Sequence, residues 1–193
     1  MMTPESGVRA ARSRFGRPWP RRSSDPAGPL LSWIGDERIA ISAVPRPAAV
    51  AGLTGQGVTH VINCRPRLDV WWGRDLAAER AVFGPERVVH AAMQDHRLRQ
   101  RPAAWAQAAR FAAGVLDDQP QARVLIHCTA GMHRSVMVAY AVLRLRGHDR
   151  DEAAALVLRH RVQAELLPAY VRSVERWLAA AAASARGTGA GGQ

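Results

Sequence analysis

Apolar and polar positions change rhythm along the chain. Residues 38–42 (RIAIS), 58–63 (VTHVIN), 88–91 (VVHA) and 124–127 (VLIH) are short aliphatic runs with polar or glycine borders, the pattern of buried strands. The stretch 48–55 between the first two predicts a short helix. Trp105, Ala109, Ala112 and Leu116 recur at helical spacing and predict a long helix with one apolar face ahead of the fourth strand. Residues 136–145 stay apolar beyond strand length and predict a buried helix that stops at Gly147, a residue suited to the cap. Asp149 with Glu152 three positions on starts another helix, and Pro168 suits the first turn of a last one, whose Val171, Val174, Leu178 and Ala181 share a face. Strands alternating with helices predict an α/β domain with a central, mostly parallel sheet of four to five strands flanked by helices. A polar, glycine-bearing loop, 127–135 (HCTAGMHRS), joins the fourth strand to its helix.

The pattern is confined to the middle of the chain. Residues 1–29 are rich in Arg, Pro, Ser and Gly without periodicity and read as a disordered arm, and 184–193 (SARGTGAGGQ) read as a disordered tail. The 193 residues, 48% of them apolar, suffice for one domain over 30–183. No apolar run approaches the 18 or so residues of a membrane span, and the Arg-rich opening lacks the apolar segment of a signal peptide. Only Cys64 and Cys128 carry thiols, and so widely separated a pair makes no disulfide framework; a reducing cytoplasm is the expected location.

Charge adds less than its size suggests. The net charge of +11 comes from arginine alone, since the chain has no lysine. Arginine forks suit anionic partners, but arginine in place of lysine, with abundant alanine, is also what a GC-rich genome encodes. Nucleic-acid binding wants a basic stripe interleaved with aromatics on one element, and only the N-terminal arm approaches that, so no nucleic-acid partner is expected.

The loop carries the chemistry. Cys128 stands where a strand gives way to a helix, in the positive potential of the helix N-terminus, which lowers a thiol pKa and yields a nucleophilic thiolate. Arg134 opens the helix, so the intervening Thr129, Ala130, Gly131, Met132 and His133 can curl into a cup of backbone N–H groups closed on one side by the guanidinium. Gly131 supplies the torsion angles a tight curl needs. Such a cup suits a phosphate with sulfur beneath the phosphorus. Ser135 is placed to donate to that sulfur and stabilise it as a leaving group.

HCTAGMHRS resembles the signature of the cysteine-dependent protein tyrosine phosphatase superfamily, in the HC..G..RS form of its dual-specificity branch. The resemblance runs over roughly 31–180: GVTHVINC is similar to the family's second strand, and VVHAAMQD to the strand that leads to its general-acid loop. The late position of the cysteine sets the chain apart from the low-molecular-weight phosphatases. Phosphoryl transfer to sulfur needs an acid for the leaving oxygen and then a base for water. The resemblance assigns both roles to Asp95, which follows a strand and precedes Cys128 at a separation similar to the family's. Asp69 and Asp75 lie too far upstream, and Asp117 and Asp118 close a helix.

The resemblance implies a monomeric phosphatase without metal or cofactor, acting on phosphotyrosine and phosphoserine or phosphothreonine proteins, with no membrane partner. Its alternatives are inositol phosphates, phosphoinositides, RNA 5′-phosphates, or a catalytically silent phosphate-binding module. His127 is read as structural, fixing the loop through backbone hydrogen bonds and tuning the thiolate. His133 departs from the small residue common here in dual-specificity members, and His before the Arg occurs in relatives acting on inositol pyrophosphates. Trp71 and Trp72 read either as a wall of the cleft or as satellite core, and Arg97, Arg99 and Arg101 as an aid to anionic substrates or as a solvated run. Cys64 follows the strand VTHVIN; some superfamily members carry a cysteine there that forms a reversible disulfide with the nucleophile, and packing at a strand end is the other reading.

Overall fold

The protein is described by a computed structural model covering residues 30–189. Its strands are β1 (Ser32–Trp33), β2 (Ile39–Ser42), β3 (His60–Asn63), β4 (Val88–His90) and β5 (Val124–His127). The helices are α1 (Gly52–Gly55), α2 (Arg67–Gly73), α3 (Asp75–Phe83), α4 (Ala106–Asp118), α5 (Arg134–Leu145), α6 (Arg150–His160) and α7 (Pro168–Gly189). The sheet order is β1-β2-β5-β3-β4; all neighbours are parallel except β1, which pairs antiparallel with β2.

Side-chain alternation along the strands divides the core into two. Ile39, Ile41, Ile62, Val124 and Ile126 face α4, α5, α6 and α7, while Ala40, Val61, Val88 and Leu125 face Val50, Leu53 and Phe83 on the opposite side. Helix α5 is buried from Arg134 to Leu143, so it is a core helix and carries no polar stripe. Asp149 caps α6 by accepting from the Glu152 amide at 2.8 Å, and Gly147 takes φ +98° just past the end of α5, both as the sequence predicts.

Parallel pairing puts the carboxyl ends of four strands on one edge. Ser42 and Asn63 both lie opposite His127, and His90 lies opposite Asn63. The loop leaving β5, at the middle of that edge, is therefore flanked by the segments that leave β2 and β3. Ligands of open α/β sheets bind at this edge.

Three departures from the sequence pattern matter. Helices α2 and α3 occupy a stretch that reads as a long connection. α2 buries only Val70, and the buried face of α3 is Asp75, Glu79 and Phe83, so neither shows an apolar stripe. Trp71 and Trp72 are 69% and 76% exposed on α2, so neither is satellite core. Trp71 instead lines a cavity of about 530 Å³ with Arg67, Arg74 and Arg80. Finally, α7 continues through Gly189, so the first six residues of the segment read as a tail extend an alanine-rich helix. The remaining tail positions and the 1–29 arm lie outside the described residues. Among the described residues no helix is long and apolar enough to cross a membrane.

Candidate active site

Cys128 follows the central strand β5 and is 1% exposed. Its Sγ accepts from the Gly131 amide at 3.2 Å and from the Ser135 hydroxyl at 3.4 Å. Burial pushes the thiol pKa up, but Arg134 and the hydrogen bonds from Ser135 and Gly131 outweigh it, leaving the pKa at about 7. At that value thiol and thiolate are both populated near neutral pH.

The loop closes over this sulfur as the sequence predicts. Gly131 takes φ +69°, and a Cβ there would sit 2.5 Å from the Ser42 carbonyl oxygen, so both the torsion and the space require glycine. Among the described residues the amides of Ala130, Met132, His133 and Arg134 donate to no protein acceptor. Arg134 is 3% exposed; its Nη2 donates to Thr129 Oγ1 at 3.2 Å and its Nη1 to the Met93 carbonyl at 3.4 Å. Its Nε is buried without a partner. A buried guanidinium N–H left open beside a row of free amides is a receptor for a multivalent anion.

Asp95, in the segment after β4, reaches this rim. Its carboxylate lies 3.4 Å from Arg134 Nη2 and 3.2 Å through either oxygen from His133 Nδ1, and it accepts from Tyr170 OH at 3.4 Å. Burial raises its pKa, yet the His133 hydrogen bond and the Arg134 charge overcome that and hold it below the ordinary carboxylate value. His133 continues to Glu165 Oε2 at 3.2 Å, and Arg97 Nη2 binds the same oxygen at 2.5 Å. The His133 pKa is raised, first by the Asp95 hydrogen bond. Arg97 thus belongs to the rim, whereas Arg99 and Arg101 line a separate groove against Ser173 and Trp177 of α7.

His127 immediately precedes Cys128, with a side-chain partner different from the one the sequence suggests. Its Nε2 meets Glu79 Oε1 of α3 at 2.7 Å, a side-chain carboxylate where backbone acceptors are expected. Burial lowers its pKa, and the Glu79 charge and hydrogen bond raise it by more. Glu79 Oε2 and Asp75 Oδ2 also accept from Asn63 Nδ2, at 3.0 and 2.8 Å, and Asp75 is bound by Arg65. Beneath the loop, Arg161 donates to the Gly131 carbonyl at 3.1 Å, the Ala130 carbonyl at 3.3 Å and Ser32 Oγ at 3.1 Å. Sequence reasoning misses Glu79, Asp75, Asn63, Arg161, Glu165 and Tyr170: the charged ones read as solvated until the fold buries or pairs them, and Asn63 and Tyr170 carry no local signal of their partners. Cys64 is buried beside the site: its amide donates to the His127 carbonyl at 2.8 Å, and burial pushes its thiol pKa well up.

No protein-family model matches the sequence, and no curated protein matches it. Solved structures do. PTPMT1 superposes with a TM-score of 0.66 at 18% identity over 81% of this chain and 99% of that one. Tk-PTP in its active form gives 0.62 at 22% identity over 77% and 95%. Human DUSP28 gives 0.59 at 18% identity over 77% and 93%. The chain has the fold of the cysteine-based tyrosine and dual-specificity phosphatases.

Proposed function

We propose that the protein is a phosphomonoesterase that works through a cysteinyl-phosphate intermediate, with phosphorylated tyrosine, serine and threonine side chains of proteins as substrates. The observation that carries this is the low-pKa Cys128 thiolate at the floor of a cup whose Arg134 Nε and loop amides have no protein partner. A bound phosphate supplies those acceptors and places phosphorus over Sγ. Cys128 attacks it, and the charge on the equatorial oxygens is spread over Arg134 and the amides, which are already oriented. Asp95 protonates the departing oxygen. It then takes a proton from the water that attacks the phosphocysteine, while the Ser135 hydroxyl stabilises the departing thiolate.

A second reading has its own support. PTPMT1 in complex with PI(5)P superposes with a TM-score of 0.67 at 16% identity, so a protein of this fold binds a phosphoinositide. The rim here carries Arg97, Arg134 and His133, which suit a polyanionic headgroup as well as a phosphopeptide.

The test is turnover of phosphotyrosine and phosphoserine peptides, inositol phosphates and phosphoinositides by purified protein in the presence of a chelator. Hydrolysis is abolished by Cys128→Ser and falls by about 100-fold or more in Arg134→Lys, whose point charge cannot replace the fork. A fully active Cys128→Ser protein would overturn the mechanism. Preference for phosphoinositides over every peptide would overturn the substrate class alone.

A further inference from the structure

A general acid must carry a proton when the leaving oxygen departs, yet Asp95 sits between Arg134 and His133, an environment made for a carboxylate. The ring of His133 bridges two acids: Nδ1 lies 3.2 Å from both Asp95 oxygens, and Nε2 lies 3.2 Å from Glu165 Oε2. A neutral imidazole has one N–H and one lone pair, so it would turn a lone pair toward one of these carboxylates. Only the imidazolium satisfies both. Arg97 Nη2 also approaches Nε2, at 3.4 Å, but its shorter contact is with Glu165 Oε2, at 2.5 Å.

We infer that Asp95 does not hold the catalytic proton in the empty site: His133 holds it and passes it to Asp95 when a phosphate group fills the cup. The inference rests on the phosphatase reading. A phosphate dianion beside Asp95 makes the carboxylate a stronger base, and the Nδ1 proton then moves across the 3.2 Å contact. That leaves a neutral His133 whose Nε2–H still faces Glu165, and a protonated Asp95. Asp95 gives the proton to the departing alkoxide, later takes one from the attacking water, and returns it to His133. Protons balance over the cycle.

The groups that face this pair come from every segment packed around it. Asp95 and Arg97 follow β4, Arg134 opens α5, Glu165 lies between α6 and α7, Tyr170 is on α7, and Cys128 lies in the loop. Glu165 is itself held by its amide on the Met132 carbonyl at 2.9 Å, so the distal anchor is tied to the loop that binds phosphate. His133 is therefore a positioning and proton-storing residue that acts through Asp95.

Two measurements test it, and the first needs no turnover. Ring-nitrogen NMR of the resting, full-length protein at pH 7 should show both His133 nitrogens protonated, with a titration midpoint that falls by about one unit or more in Asp95→Asn. In the second, kcat/KM on an alkyl phosphate should fall on the basic side with the His133 midpoint. His133→Asn keeps a donor toward Asp95 but has no proton to release. Its basic limb should move to lower pH by about one unit or more, with a larger loss on alkyl than on activated aryl phosphates. A His133 with one ring proton at pH 7, or a His133→Asn profile that overlays the parent's, overturns the inference. A parent protein without phosphatase activity overturns the proposed function instead, and the NMR result still decides where the proton resides.

Discussion

The Cys128 thiol pKa falls to about 7 because three neighbours offset the cost of burying a charge. Arg134 contributes by charge, and Ser135 and Gly131 by hydrogen bonds to Sγ at 3.4 and 3.2 Å. Alkylation of Cys128 by iodoacetamide should accordingly rise with pH through a midpoint near 7, the value its surroundings impose. Ser135→Ala removes one donor to the thiolate, so its midpoint should lie higher, by roughly half a unit to one unit. An unchanged midpoint would show that the hydroxyl does not stabilise the sulfur. The second, buried thiol, Cys64, serves as an internal control that stays protonated and unmodified under the same conditions.

At the scale of elements, α3 is a helix whose buried side is acidic. Glu79 is fully buried against His127, and Asp75 is bound by Arg65 and Asn63. This network joins β3, α3 and β5 behind Cys128 and raises the His127 pKa through the Glu79 charge and hydrogen bond. Removing one charge of a buried pair leaves the other uncompensated, so Glu79→Gln should cost about 3 kcal/mol in urea unfolding at pH 6. The pH dependence has a definite sign. The folded His127 pKa is raised, whereas the unfolded chain titrates near 6.5, so the stabilisation is complete below that value and is lost as pH rises through the folded one. Parent stability should therefore decline from neutral toward alkaline pH, and Glu79→Gln should flatten the decline. Equal slopes in the two proteins would assign His127 a neutral ring.

At the scale of the whole molecule, sheet topology makes neighbours of two cysteines that lie far apart in sequence, Cys64 and Cys128. Asn63 pairs with His127 across β3 and β5, and the Cys64 amide donates to the His127 carbonyl at 2.8 Å, so the two cysteines leave adjacent strand ends. A disulfide between them requires Cα atoms within about 7 Å. Peroxide oxidises the Cys128 thiolate to a sulfenic acid; attack by the Cys64 thiol on that sulfur then expels water and forms the disulfide. The expected result is a cross-linked 64–128 peptide after peroxide treatment, with activity restored by thiol in the parent but not in Cys64→Ser. Equal recovery in the two proteins would leave Cys64 as packing.

The division between sequence and tertiary structure follows from the range of the interactions. Four parallel strands, the α4 face, the α6 cap and the Cys128 loop depend on local periodicity, capping chemistry and a short motif, and all were legible in the sequence. β1, α2 and α3 were not: β1 has two residues, α2 exposes most of its apolar side chains, and α3 buries acids, which read as solvated until a partner is known. The same limit applies at the site. Cys128, Arg134 and Ser135 lie on one short loop and announce themselves, but Asp95 meets His133 across 38 residues and Glu165 meets it across 32. Glu79 reaches His127 across 48. Sequence determined the short motif that brings Cys128, the glycine-bearing curl, Arg134 and Ser135 together. Only the fold, by closing those separations and removing water from the charges, decided which acid each histidine meets and in which direction the Asp95, His127 and His133 pKa values move.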